Sequence, residues 1–347
     1  MIINRIFISH RSFHHSKYSG YTQLLHHLKG KVLPNNPEMI SYTLRKLISN
    51  IVFKKYPLYD TQSIEKEWQL FLELRKNNSD TIVHYLNGER DIRYVIKYYR
   101  KSERVKFVTT FHKPPSILSE VIKNNKYLKY LDGVIAIGTN QANYINDQLK
   151  IKHIEMVPLG VDTNYFQPSQ NHILHNKDKK SILCVGQHLR DFDVFNSVVN
   201  VIKAKKMDIE INVVILPSYI KFLKNKDVLN IFSGISDDSL KSLYQRSTCL
   251  FIPFKDAQTS CTAMLEGLSC GTPIITSKVG DIPDYLDDNC SIMIERNNKD
   301  DFIDAIISVM DDTFNQKMRK AAREKSLSFD WKVISERVKR FHERVLS

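Results

Sequence analysis

The residues most suited to chemistry lie between Pro253 and Pro283. There the chain leaves an apolar run at Pro253 and passes through a polar loop, Gln258-Thr259-Ser260-Cys261. A helical stretch opens at Thr262. Gly271 stands where a glycine would end that helix, and Pro273 opens the next strand. A helix start exposes free N–H groups and a partial positive charge, which suits a phosphate. The small side chains of Thr259, Ser260 and Thr262 let an anion approach the backbone. Glu266, about one turn into the helix, has a carboxylate able to accept two hydrogen bonds from a ribose diol. Taken alone, the segment also fits an N-capped helix with a surface glutamate.

A second candidate follows the run Ser181–Val185, in Gly186-Gln187-His188-Leu189-Arg190. An Arg190 guanidinium suits a diphosphate because its fork bonds two oxygens at once. Elsewhere, Lys17-Tyr18-Ser19-Gly20-Tyr21 follows the first strand, and a glycine there lets backbone approach a ligand. His112 closes the run Thr109-Thr110-Phe111-His112, and His84 sits near another strand end. Acidic pairs occur at Asp237-Asp238, Asp287-Asp288, Asp300-Asp301 and Asp311-Asp312. They fall in loops and helix starts, where capping is the ordinary role. No metal site is expected.

Four segments resemble one family in its own order. LEGLSCGTPII over Leu265–Ile275 resembles the LEAMACGTPVI run of the retaining GT-B glycosyltransferases of family four, the glycogen-synthase and sucrose-synthase clan. VGDIPD over Val279–Asp284 resembles its VGGIPE. VPLGVDTNYFQP over Val157–Pro168 resembles its xPNGVDxxxFxP. IFSGIS over Ile231–Ser236, followed by Leu243-Tyr244, resembles its VxFxGxVxxxxLxxLY.

The resemblance implies a donor-binding set of Gly186, Arg190, Gly234, Ile235, Gln258, Thr259, Ser260, Cys261, Thr262 and Glu266. Glu266 would hold the ribose. Gln258 stands where the family has its first carboxylate; a glutamine bonds sugar hydroxyls but carries no charge. The family's usual glycine-arginine-lysine grip on the diphosphate is altered here, with Gln187 at the first basic position and Arg190 as the replacement. His112 matches the family's TxH and would bond a sugar hydroxyl, so the implied catalytic set is His112, Arg190 and Gln258. Ser19, Gly20, Tyr21 and His84 would form a first-domain acceptor loop.

These residues require elements to position them. Near-continuous apolar runs fall at Ile2–Ser9, Thr81–Tyr85, Lys106–Thr110, Gly133–Ile137 and His153–Val157. A second set falls at Ser181–Val185, Ile211–Leu216, Val228–Ile231, Cys249–Ile252, Pro273–Thr276 and Ser291–Ile294. Alternation with amphipathic stretches predicts buried parallel sheets in an α/β protein. Polar, aperiodic residues 169–180 read as a linker between a first domain over 1–168 and a second over 181–330. The stretch Arg45–Lys76 reads as a helical insertion. Trp331, Ile334, Val338, Phe341 and Val345 form one stripe of a final helix, which by resemblance completes the first domain. The fold implied is GT-B, two Rossmann-like domains facing across a cleft.

The length of 347 residues suits two such domains. The net charge of +13 fits either a well-solvated lysine-rich surface or an anionic partner. Five cysteines without C-x-x-C spacing argue against a disulfide framework or zinc site and fit a reducing cytosol. No run approaches the roughly 18 apolar residues of a membrane span, and the N-terminus reads as a strand rather than a signal peptide. The protein is therefore expected in the cytoplasm, with peripheral contact at the inner, anionic membrane face.

The function expected is transfer of a sugar from a nucleotide-sugar donor to a saccharide or lipid-linked acceptor. The anomeric configuration would be retained and neither metal nor other cofactor used. A catalytically inactive nucleotide-sugar binder is the alternative, motivated by Gln258 and the altered Gly186–Arg190 segment. Nucleic acid is not an expected partner, since no basic motif interleaved with aromatics supports it.

Overall fold

The computed structural model describes residues 3–9, 17–33, 59, 61–169, 179–295 and 298–347. The middle of the expected linker and residues 45–58 and 60 of the Arg45–Lys76 insertion lie outside them. The insertion's last part forms the helix Thr61–Lys76.

The chain divides into two compact units. The first comprises Met1–His15, Gly20–Leu159 and Lys332–Ser347; the second comprises Ser16–Ser19 and Gly160–Trp331. In the first unit, strands β1 (Asn4–Ile8), β2 (Lys31–Leu33), β3 (Thr81–Tyr85), β4 (Val105–Phe111), β5 (Gly133–Ala136) and β6 (His153–Met156) form one sheet. Their order is β2-β1-β3-β4-β5-β6, and every pairing is parallel. In the second unit, β7 (Ser181–Val185), β8 (Glu210–Val214), β9 (Leu229–Phe232), β10 (Cys249–Ile252), β11 (Ile274–Ser277) and β12 (Ser291–Ile294) form another parallel sheet, in the order β12-β11-β10-β7-β8-β9.

These strands are where the apolar runs predict them, because a parallel sheet covered by helices on both faces must be apolar throughout. β3, β7 and β10 are buried along their whole length. β2 went unread. It has three residues, two of them exposed, and sits at the sheet edge, so no apolar run marks it.

Each unit has its own core. Ile6, Val83, Tyr85 and Phe107 anchor the first, and Ile182, Phe195, Val199 and Phe251 the second. The stripe on helix Trp331–Leu346 is buried throughout. Phe341 and Val345 pack so closely on Gly133 that a Cβ there would lie 2.9 and 2.8 Å from them. Each buried side chain of this size contributes roughly 1.5–3 kcal/mol.

Both orders reverse once, between β1 and β3 and between β7 and β10. In open parallel sheets the crevice outside the carboxyl ends at such a reversal is the usual ligand position. The loops leaving β7 and β10 are the two stretches singled out from sequence, Gly186–Arg190 and Pro253–Cys261.

Candidate functional site

In the second unit those two loops are tied together by backbone. Asp191 N–H donates to the Pro253 carbonyl at 2.9 Å and Lys255 N–H to the Leu189 carbonyl at 2.8 Å. This zipper fixes Arg190. Its Nε and Nη2 donate to the Val185 carbonyl at 3.1 and 2.7 Å, and Phe254 lies beneath the guanidinium at 4.6 Å. Nη2 also reaches Cys261 Sγ at 3.2 Å. The side chain is 6% exposed, and its partners among the described residues include no carboxylate. A buried guanidinium without a counter-charge is costly unless an anion completes it.

Cys261 is the N-cap of the helix Thr262–Ser269 and makes no capping bond. Among the described residues the amides of Thr262 and Ala263 meet no backbone acceptor; the first helical bonds run from Met264 and Leu265 to the Cys261 carbonyl. An uncapped helix start and a lone guanidinium thus meet at one point, both favouring negative charge. Thr259 Oγ1 in the same loop is fully buried and has no hydrogen-bond partner among the described residues. The helix ends at Gly271 (φ +73°), whose N–H bonds the Leu268 carbonyl while Thr272 N–H bonds that of Gly267.

Gln258 is 7% exposed, and its carbonyl accepts from Asp281 N–H at 2.8 Å. Gly280 holds this loop in place: a Cβ there would fall 2.4 Å from the Gln258 carbonyl oxygen, and its φ is +58°. Gly186 adopts φ +82° beside Arg190 Nη2, whereas Gly234 is exposed and Ile235 half-buried at the start of helix Asp237–Arg246.

Glu266 lies one turn into the helix and is buried. Ser19 Oγ donates to its Oε1 at 2.6 Å and Tyr244 Oη to its Oε2 at 2.9 Å. Burial pushes its carboxyl above the usual range, and the two hydroxyl bonds pull the other way. Ser19 departs from its expected first-domain place. Residues 17–19 group with the second unit, where Lys17 N–H bonds Asp237 Oδ2 and Tyr18 stacks on Tyr165 with centroids 3.6 Å apart.

In the first unit the strand ends gather Gly20, Tyr21, His112 and Glu89. Gly20, buried at φ +93°, precedes the short helix Tyr21–His26. The Tyr21 ring meets His112 edge-on at 4.7 Å. His112 Nε2 lies 2.6 Å from the Leu86 carbonyl, which can only accept, so Nε2 carries the proton and Nδ1 is left as the acceptor. The backbone amides of His112 and Lys113 donate to Glu89 Oε1 at 2.6 and 2.8 Å.

His84 does not reach a ligand surface. It is fully buried, with Nε2 2.9 Å from Thr110 Oγ1 and Nδ1 3.1 Å from His342 Nε2. Arg5 Nε donates to His342 Nδ1 at 3.3 Å, which fixes the proton on the Nε2 of both histidines. Burial drives the His84 pKa down to about 3, and that of His342 also well down. His84 holds Thr110, which meets Tyr21 Oη at 3.0 Å.

Sequence reading missed Phe254, Tyr244, Glu89 and His342. Tyr244 alone carried a signal, as the tyrosine of the Leu243-Tyr244 pair. The acidic pairs are otherwise engaged. Asp311 caps its helix through Phe314 N–H, Asp312 pairs with Lys180, and Asp238 accepts from Tyr165 Oη.

Two six-stranded parallel sheets, each with a Rossmann-like reversal, define the GT-B class of glycosyltransferase folds. A sucrose-phosphate synthase from Thermosynechococcus elongatus has this fold with a TM-score of 0.74 at 15% identity, covering 99% of both chains. Anabaena HepE, in complex with UDP and glucose, matches with a TM-score of 0.69 at 11% identity, over 99% of this chain and 100% of that one. Residues 166–325 match the family model described as glycosyl transferases group 1. D-inositol 3-phosphate glycosyltransferase of Paenarthrobacter aurescens is 24% identical over 201 residues, 52% of this chain and 49% of that protein. MMP alpha-(1->4)-mannosyltransferase of Mycolicibacterium hassiacum is 21% identical over 209 residues, 56% of this chain and 49% of that protein. The chain spans about half the length of these curated relatives.

Proposed function

We propose that this chain is a retaining, metal-independent glycosyltransferase that moves a sugar from a nucleoside-diphosphate sugar to a saccharide or lipid-linked acceptor. The observation carrying this reading is the buried Arg190 guanidinium, without a carboxylate partner among the described residues, beside the start of helix Thr262–Ser269, whose N-cap side chain makes no capping bond. A diphosphate supplies the negative charge that both lack. It takes the Thr262 and Ala263 amides and an Arg190 N–H. Glu266 receives the ribose hydroxyls, and the Gln258 amide bonds hydroxyls of the donor sugar. UDP bound to the related HepE fold supports a nucleotide ligand.

In the reaction, the bond between the anomeric carbon and phosphate oxygen breaks and the acceptor oxygen bonds the same carbon. The acceptor proton passes to the departing phosphate oxygen on the same face. Arg190 and the helix amides stabilise the charge growing on that oxygen, the preorganised electrostatics that dominates many enzyme rates. His112, with Nδ1 open as an acceptor, bonds a sugar hydroxyl.

The test is a panel of UDP-, GDP- and ADP-sugars, read by melting temperature and by release of nucleoside diphosphate. A ligand at about 100 times its Kd adds about 2.7 kcal/mol to stability. A donor that raises the melting point and yields diphosphate with a glycosylated acceptor is expected. A flat response to every donor would remove the reading.

A further inference from the structure

A cavity of about 300 Å³ opens on the first unit. Trp68, Phe71, Tyr94 and Tyr98 wall it, with Tyr59 and Glu67 at its floor. The floor is already satisfied. Glu67 accepts from Tyr59 Oη at 2.5 Å and from the backbone amides of Arg93, Tyr94 and Val95 at 2.9–3.2 Å. The mouth is aromatic and open: Trp68 and Tyr94 are each 50% exposed and Tyr98 68%. The walls present ring faces tipped by tyrosine hydroxyls and an indole N–H.

Basic side chains rim this face. From residue 97 to 104 four basic residues, Lys97, Arg100, Lys101 and Arg104, are exposed against one acid, Glu103. Tyr94 packs on Tyr127 at 5.8 Å, which carries the face on to Lys123, Lys126 and Lys129, a stretch without acids. Arg75 lies over Phe71 at 5.8 Å, Lys129 over Tyr130 at 5.2 Å and Arg100 over Tyr130 at 6.0 Å. Tryptophan and tyrosine with an apolar body and a polar tip, interleaved with lysine and arginine, match the chemistry of a lipid headgroup boundary. A second copy would bring like charges face to face.

We infer that the first unit docks on an anionic phospholipid bilayer through the aromatic face of the helices Thr61–Lys76 and Tyr94–Tyr99 and its basic rim. The aromatic rings enter the headgroup layer, and the lysines and arginines meet the lipid phosphates. This is independent of the nucleotide-sugar reading.

The chain has two tryptophans, and Trp331 is 2% exposed, so emission changes on vesicle addition report Trp68. With vesicles of phosphatidylglycerol and phosphatidylcholine, the full chain should sediment with the lipid and its emission should shift to the blue. Pure phosphatidylcholine should do neither. At ~1 M salt, where the screening length is about 3 Å, binding should fall. A Lys97→Glu, Arg100→Glu, Lys101→Glu variant should lose more than about a hundredfold in vesicle partition, at about 1 kcal/mol per basic residue, with an unchanged melting temperature. Trp68→Phe should sediment but lose the shift. The inference is overturned if the parent protein ignores anionic vesicles, or if the triple variant, folded, binds them as well. It is also overturned if soluble saccharides, or the protein's own concentration without lipid, produce the same blue shift.

Discussion

Arg190 Nη2 stands 3.2 Å from Cys261 Sγ, at the point where the helix Thr262–Ser269 begins. A serine or aspartate at this N-cap would satisfy the helix start internally. Cysteine does not, and the guanidinium beside it has Phe254 and the Val185 carbonyl as partners but no acid among the described residues. Both the helix start and the guanidinium favour negative charge. Cys261→Asp should supply it from within. It should raise the melting temperature of the free protein and weaken nucleoside diphosphate binding at least tenfold, read by calorimetry.

Glu266 is held by Ser19 and Tyr244, one hydroxyl on each carboxylate oxygen. Glu266→Ala should weaken nucleotide binding by about 1.5–3 kcal/mol for each charged hydrogen bond lost to the ribose. Titration with a nucleoside diphosphate and with pyrophosphate separates the effects. The loss should appear with the nucleotide and be absent with pyrophosphate, which has no ribose.

Gly280→Ala would place a methyl group 2.4 Å from the Gln258 carbonyl oxygen in a backbone held at φ +58°. The substitution should cost about 1–3 kcal/mol by overpacking and should displace the Gln258 loop. Melting temperature and donor KM are the measurements, and both should worsen together.

Two buried groups give opposing pH dependences. Burial raises Glu67 to about 7, so the folded state binds its proton more tightly than the unfolded chain; stability is greatest below the ordinary carboxyl pKa and falls as pH rises toward 7. Burial lowers His84 to about 3, so the unfolded chain binds that proton more tightly; stability is full above the ordinary imidazole pKa and falls as pH drops toward 3. Glu67→Gln should therefore remove the loss toward neutral pH, and His84→Gln should soften the loss in acid. Unfolding midpoints in urea from pH 4 to 8 would read both slopes.

The extent of the fold legible from sequence follows from where its forces act. Buried parallel strands are apolar along their length, so β3, β7 and β10 announce themselves locally. The helix start at Thr262 and its glycine stop are also local, set by capping and left-handed geometry. The partners of the site are not local. Ser19 and Glu266 are 247 residues apart, and His84 and His342 are 258 apart. These contacts are made by the folded chain, and neither member marks the other in the sequence. Phe254 reads as an ordinary apolar residue after a strand until Arg190 is seen to stack on it. His84 illustrates the converse: a histidine near a strand end looks available, yet the helix Trp331–Leu346 delivers His342 against it and closes it off.

The proposed function requires Arg190 and the Thr262 helix start to hold a diphosphate. Calorimetric titration of UDP, GDP and ADP into the parent protein and into Arg190→Ala tests it most directly. At least one nucleotide should bind the parent in the roughly micromolar to millimolar range, and the variant should lose about 2–4 kcal/mol, the scale of a charged donor aimed at phosphate. Equal affinity of the folded variant and the parent for that nucleotide would contradict it.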